Sequence, residues 1–221
     1  MIIYSNTLPS PLPLPNTMLI IAGFIVFFLI GYIGMNKQKE DEKQILNLLE
    51  SAGNYPSDYK FYITPDKDMK LTLIESEEKF VAHRIHKDQS LEEFVIPFNK
   101  IIEAEVTVDD NSVSKVSRGS QLAGAMVGGV VAGGIGAVIG GLSSDKVETK
   151  RFRKIALKLK LDDLKSPIFK IDFLPSKTDM GLENVTGFKQ DDPKVKEALF
   201  NIEIWQSVFE IAIRKTNQVA H

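Results

Sequence analysis

Lys100–Asp110 reads KIIEAEVTVDD, and the fold is decided by how this stretch is read. Ile102, Ala104, Val106 and Val108 alternate with Glu103, Glu105 and Thr107. A period of two gives a strand one apolar and one solvated face. Asp109-Asp110 then supplies turn material. Working outward, the same period recurs on both sides. Towards the N-terminus, Met69–Glu75 and Lys79–Ile85 read as strands joined through Glu77-Glu78, and Glu93–Phe98 as another. Towards the C-terminus, Ile155, Leu157, Leu159 and Leu161 alternate with Lys154, Lys158 and Lys160. Phe169, Ile171 and Phe173 then alternate with Lys170 and Asp172, with Asp162-Asp163 and Lys165–Pro167 as the turn between. Phe152 has the opposite parity to Ile155, which predicts a bulge or a late strand start there.

The pattern changes after Asp192-Pro193, a cap and first-turn pair. Val195, Leu199, Ile202, Trp205, Phe209 and Ala212 follow at three- and four-residue steps, so an amphipathic helix lays one stripe on something apolar. The expected class is α+β. About seven short antiparallel strands over residues 54–216 form a bent sheet or split barrel, closed by the C-terminal helix.

Ahead of this domain, Met18–Met35 reads MLIIAGFIVFFLIGYIGM, eighteen residues without charge or proline. At 1.5 Å per residue the segment covers most of a ~30 Å hydrocarbon core, so 18–35 is expected to be a transmembrane helix. Residues 1–17 form a proline-rich, extended lead. Residues 36–53 read as a juxtamembrane helical linker, polar first and then apolar at Ile45, Leu46, Leu48 and Leu49. Lys37, Lys39 and Lys43 follow the span and no basic residue precedes it. The positive-inside rule then places the N-terminus outside and residues 36–221 in the cytoplasm of a single-pass cell-membrane protein.

From Gly119 to Ser144 the chain is uncharged, and small residues recur at every fourth position. One row is Gly124, Gly128, Ala132, Gly136 and Gly140. The adjacent row includes Gly129, Gly133 and Gly141. On a helix such rows let backbones approach closely in lipid. In water each glycine costs a helix roughly 1 kcal/mol relative to alanine. Three readings stay open for this glycine-rich insert. It is a membrane-inserting or self-associating helix or hairpin, an element packed on its own domain, or a dinucleotide loop. The last needs a following βαβ unit, whereas antiparallel alternation follows. A single crossing by Leu122–Leu142 would put the strands on its two sides across the bilayer from each other, so only a re-entrant or triggered insertion fits a shared sheet.

The segment VIPFNKIIEAEVTV, the meandering strands and the final helix with Trp205 resemble the pleckstrin-homology-like domains of bacteria, related in shape to GRAM domains. The sharper pattern runs SKVSRGSQLAGAMVGGVVAGGIGAVIGGLSS, a basic strand, SPIFKIDFL, and then the helix. It resembles a group from Gram-positive bacteria and their prophages in which a glycine-zipper segment interrupts the PH-like sheet. The resemblance covers roughly residues 59–215 and implies no catalytic residues or cofactor. It also implies roles such as superinfection exclusion or an abortive-infection membrane effector.

Composition narrows the functions further. A net charge of −2 argues against a nucleic-acid partner. The absence of cysteine removes disulfides, zinc ribbons and thiol nucleophiles. His83 and His86 fall on opposite faces of a strand, cannot chelate one metal, and read as solvated or sheet-edge side chains. Asp109-Asp110, Asp162-Asp163 and Asp191-Asp192 sit where carboxylates cap backbone amides. No nucleophile elbow, Walker loop or metalloprotease motif is present. Lys150, Arg151, Arg153, Lys154, Lys158 and Lys160 form the densest basic cluster. They read either as contacts to anionic lipid or as a solvated strand face balanced by nearby acids. The expectation is a non-enzymatic, membrane-anchored protein that associates with itself or with membrane lipid. The alternative is a passive adaptor that binds a lipid headgroup or a protein of unknown identity, with the glycine segment serving only as packing.

Overall fold

The computed structural model describes residues 16–53, 55, 59–118, 151–178 and 181–219. The glycine-rich insert and Lys150 lie outside the described residues. Two compact units divide the chain, Met1–Gln44 and Ile45–His221.

Helix α1 runs from Asn16 to Ser51. In the first unit its apolar side chains are exposed, Phe27 and Phe28 by 73% and 71%. Among the described residues, no helix is long and apolar enough to cross a membrane. The stretch expected to span includes Leu19, Ile20 and Ala22, whose side chains are outside the described set.

In the second unit the chain forms two four-stranded antiparallel sheets and a closing helix. The first sheet is a meander of β1 (Phe61–Ile63), β2 (Met69–Ile74), β3 (Lys79–Ile85) and β4 (Leu91–Pro97), in that order. The second contains β5 (Ile101–Val108), β6 (Asn111–Ser117), β8 (Ile155–Leu161) and β9 (Ile168–Asp172), in the order β6-β5-β8-β9. Between β6 and β8, β7 (Arg151–Phe152) pairs with β10 (Phe188–Lys189). Helix α2 (Pro193–Val219) ends the chain's described part.

Local chemistry explains these elements. Asp109 and Asp110 both take positive φ, 47° and 66°. Two such central residues make the tight turn whose twist matches a hairpin, and β5 and β6 close across it through Val108 and Asn111. Phe152 and Ile155 are both fully buried despite their odd spacing. The chain resolves this by leaving strand geometry at Arg153-Lys154, so β8 starts late, as the parity slip predicts.

The strand pattern needs one correction. Ile101, not Ile102, is fully buried, and Ile102 is only half-buried. A register shift between Ile101 and Glu103 against β8 turns the first residue inward. Strands β1, β6 and β10 were not expected. The first and last are too short to show a period, and β6 carries serine and lysine along an edge where little apolar surface is required.

Both sheets and α2 share one core. Tyr62 stacks on Phe173 at 4.5 Å between centroids, Phe80 packs on Phe209 at 4.3 Å, and Trp205 lies beside Tyr62 and Phe80. Val195, Ile202, Trp205, Phe209 and Ala212 are buried on α2 and Leu199 half-buried, which is the expected stripe. A buried polar pair fixes the helix on β6, with Gln206 Nε2 donating to Ser114 Oγ at 2.7 Å.

Candidate functional site

Three surfaces carry the side chains that bear on function. The first is the outer face of the first sheet, where the last turns of α1 are seated. Leu49 is fully buried there, and Lys70 on β2 is only 5% exposed. The Lys70 ammonium donates to the carbonyls of Glu50 at 2.8 Å and Ala52 at 3.1 Å. These are orphan carbonyls at a helix C-terminus, where a cation is favoured by the local dipole. Burial holds the Lys70 ammonium below the usual lysine range, partly offset by the charge of Glu50. Gly53, at φ +82°, ends the helix in the left-handed conformation.

His83 stands beside Lys70 in the register of β2 and β3. It is buried rather than solvated, and its Nε2 lies 3.1 Å from Glu93 Oε2 while Nδ1 has no hydrogen-bond partner. The Tyr55 ring, in the chain that follows α1, lies 6.4 Å from the His83 ring between centroids, a neighbour that strand period alone does not reveal. His86 pairs separately with Glu92 at 2.9 Å and is half exposed.

The second surface is the outer face of the second sheet, where the basic cluster falls. The structure brings only part of that cluster together. Lys158 donates to Glu105 Oε2 at 3.0 Å, and Lys154 lies 3.7 Å from Asp172. Lys115 on β6 pairs with Glu103 at 3.0 Å. Arg151 instead donates to the carbonyl of Gly187 at 2.9 Å, joining β7 to the loop before β10. Arg153 and Lys160 are exposed. Glu105 is 9% exposed. The Ser112 hydroxyl, then Lys158 and Lys115, hold its carboxyl below the usual range against its burial.

The third surface is the pair of points where the glycine-rich segment joins the domain. At one, Arg118 donates to the carbonyls of Asn99 at 2.7 Å and Ile101 at 2.8 Å. At the other, the Asp109 carboxylate accepts the backbone N–H groups of Arg153 at 2.8 Å and Lys154 at 2.9 Å. Ser117 is registered with Glu103 and Ile155 with Val108, so the two points lie towards opposite ends of β5. Gly124, Gly128, Gly129, Ala132, Gly133, Gly136, Gly140 and Gly141 lie outside the described residues, as does Lys150.

The other acidic pairs cap amides in the same way. Asp163 accepts from Lys165 N, and Asp192 from Lys194 N, at 2.8 and 2.9 Å. Among the described residues no three metal-ligating side chains converge.

Two antiparallel sheets around one core, a closing C-terminal helix and a long insertion between β6 and β7 define a PH-like domain. The chain belongs to the family of glycine zipper containing PH domains, whose model matches residues 56–175. It is 39% identical over 151 residues to the "Immunity protein" of Bacillus phage SPbeta, a match covering 68% of this chain and 73% of that protein. It is equally similar, at 39% over 151 residues, to the "SPbeta prophage-derived uncharacterized membrane protein YomJ" of Bacillus subtilis (strain 168). That match covers 68% of this chain and 64% of the relative, less than two thirds of its length. No solved structure matches.

Proposed function

We propose that this is a non-enzymatic, single-pass membrane protein of prophage type. Its cytoplasmic PH-like domain presents the glycine-zipper segment for self-association or for contact with membrane lipid, in the service of immunity or exclusion. The observation that carries the reading is the placement of the insertion. Strand β6 before it and β8 after it both pair with β5 in one sheet, held at Arg118 and at Asp109, so segment 119–144 has to leave and rejoin the same side of any bilayer. That placement argues against a permanent single crossing, and it supports re-entrant insertion or pairing with another copy as the use of its small-residue rows, with packing on its own domain as the alternative. The eighteen uncharged residues Met18–Met35 supply an anchor, and the lysines that follow them set its orientation. The names of the two relatives, an immunity protein and a membrane protein, support both parts.

Host cells expressing the full chain, or the chain with Gly128, Gly136 and Gly140 changed to leucine, test this by phage challenge alongside dye leakage. Protection or leakage that needs the native glycines supports a zipper-driven effector. Equal behaviour of the two chains ends that reading, and an adaptor whose zipper is only packing takes its place. Carbonate extraction of the full chain tests the anchor separately, and release into the supernatant would remove it.

A further inference from the structure

Helix α2 carries a second row of side chains on the side away from the core. Glu197, Phe200, Ile204, Ser207, Ile211 and Arg214 follow at steps of three and four, the spacing of a helix-pairing seam. Phe200 is 66% exposed and Ile211 46%. Ile204 is half-buried, and Glu197, Ser207 and Arg214 are exposed. Neither Glu197 nor Arg214 belongs to an ion pair among the described residues. The Ser207 hydroxyl is already spent on the Glu203 carbonyl at 2.9 Å, leaving a small side chain in the row.

The order of this row is self-complementary. Laid antiparallel on a second copy, with a two-fold axis between Trp205 and Gln206, Glu197 meets the partner's Arg214. Phe200 then meets the partner's Ile211, and Ile204 meets the partner's Ser207, a large side chain against a small one. A parallel pairing would instead set glutamate on glutamate and arginine on arginine, which like-charge repulsion disfavours. Residue i meeting j while j meets i is the signature of a closed two-fold interface.

We infer that α2 is a dimerisation helix whose outer row pairs antiparallel with the same row of a second copy of this chain. A single helix pair is small for a specific interface, so the contact gains from any second attachment that raises effective concentration. The inference does not depend on the glycine segment or on the anchor.

The chain has no cysteine, so introduced ones report neighbours without background. Full-length copies bearing Phe200→Cys and one tag are co-expressed with copies bearing Ile211→Cys and another tag, then oxidised. Mixed-tag dimers should dominate. Two copies of the same variant hold their thiols eleven residues apart along the axis, about 16 Å, beyond disulfide reach. Glu197→Arg or Arg214→Glu alone should lower the mixed-tag product several-fold, and the double exchange should restore it. Predominant same-tag dimers, no dimer of either kind, or no rescue by the double exchange would overturn the inference.

Discussion

At the scale of single residues, the domain depends on a few buried polar groups whose partners are specific. Lys70 is the clearest, because its ammonium satisfies two carbonyls at the end of α1 in a nearly closed site. Lys70→Ala leaves both carbonyls short of a donor and should lower stability by about 1–3 kcal/mol. Chemical denaturation in detergent reads this directly, and an unchanged midpoint would mean that water replaces the ammonium. Glu105 gives the domain an acid sensitivity. Its carboxyl is held below the ordinary value, chiefly by Ser112, so the folded state binds its proton less readily than the unfolded chain does. Stability from this group is complete above the ordinary glutamate range and is lost as pH falls through that range towards the lowered folded-state value. Melting temperatures across that acid range should fall more shallowly for Glu105→Gln than for the native chain. Parallel curves would show that the carboxylate contributes no linkage. Gly187, at φ +74°, is the corresponding backbone case. An added Cβ would come within 2.9 Å of the Phe152 carbonyl oxygen, so Gly187→Ala should destabilise by roughly 1–3 kcal/mol in the same assay.

At the scale of elements, α2 closes the core with one face and leaves the opposite row free for a second role. Trp205 is 3% exposed, and its ring neighbours come from β1, β3 and its own helix. Trp205→Ala opens a cavity where both sheets meet the helix and should cost about 3–5 kcal/mol, seen as a lower unfolding midpoint. A Phe200→Ala change on the outer row touches nothing in the core and should leave that midpoint nearly unmoved. The contrast separates the packing face from the pairing face. The β5–β6 hairpin shows the same division within a strand pair. Asp109 both shapes the turn and, through its carboxylate, holds the start of β8. The identity of the turn residue therefore decides where the chain resumes its sheet after the insertion.

At the scale of the whole molecule, the described sheets and α2 share one core on their own, so the domain is expected to fold without a particular path between Arg118 and Arg151. The points of attachment are separated along β5 by the five steps from Glu103 to Val108, about 17 Å at strand rise. A flexible glycine-serine linker of about fifteen residues in place of 119–150 spans this easily. The shortened chain should unfold cooperatively at nearly the native midpoint, because loop length enters closure entropy only logarithmically. Loss of cooperative melting would show instead that the glycine segment is part of the core.

Much of this was legible in the sequence. The period of two from Lys100 to Asp110, its recurrence at Lys154–Leu161, and the stripe from Val195 to Ala212 determined strands, a helix and the faces they bury. Periodicity is a local property that each segment carries alone. The small-residue rows of the insertion are local in the same sense. Other features were decided only in three dimensions. The bulge that turns Ile101 inward arises from pairing with β8, the burial of His83 from the Tyr55 ring in the chain after α1, and the neutralisation of Lys158 from a strand about fifty residues earlier. The self-complementary row on α2 depended on both. Its spacing is written in the chain, but only the tertiary fold shows which face of the helix the core consumes and which is left for a partner. A hydrophobic pattern specifies that a face is buried, and the fold alone specifies against what.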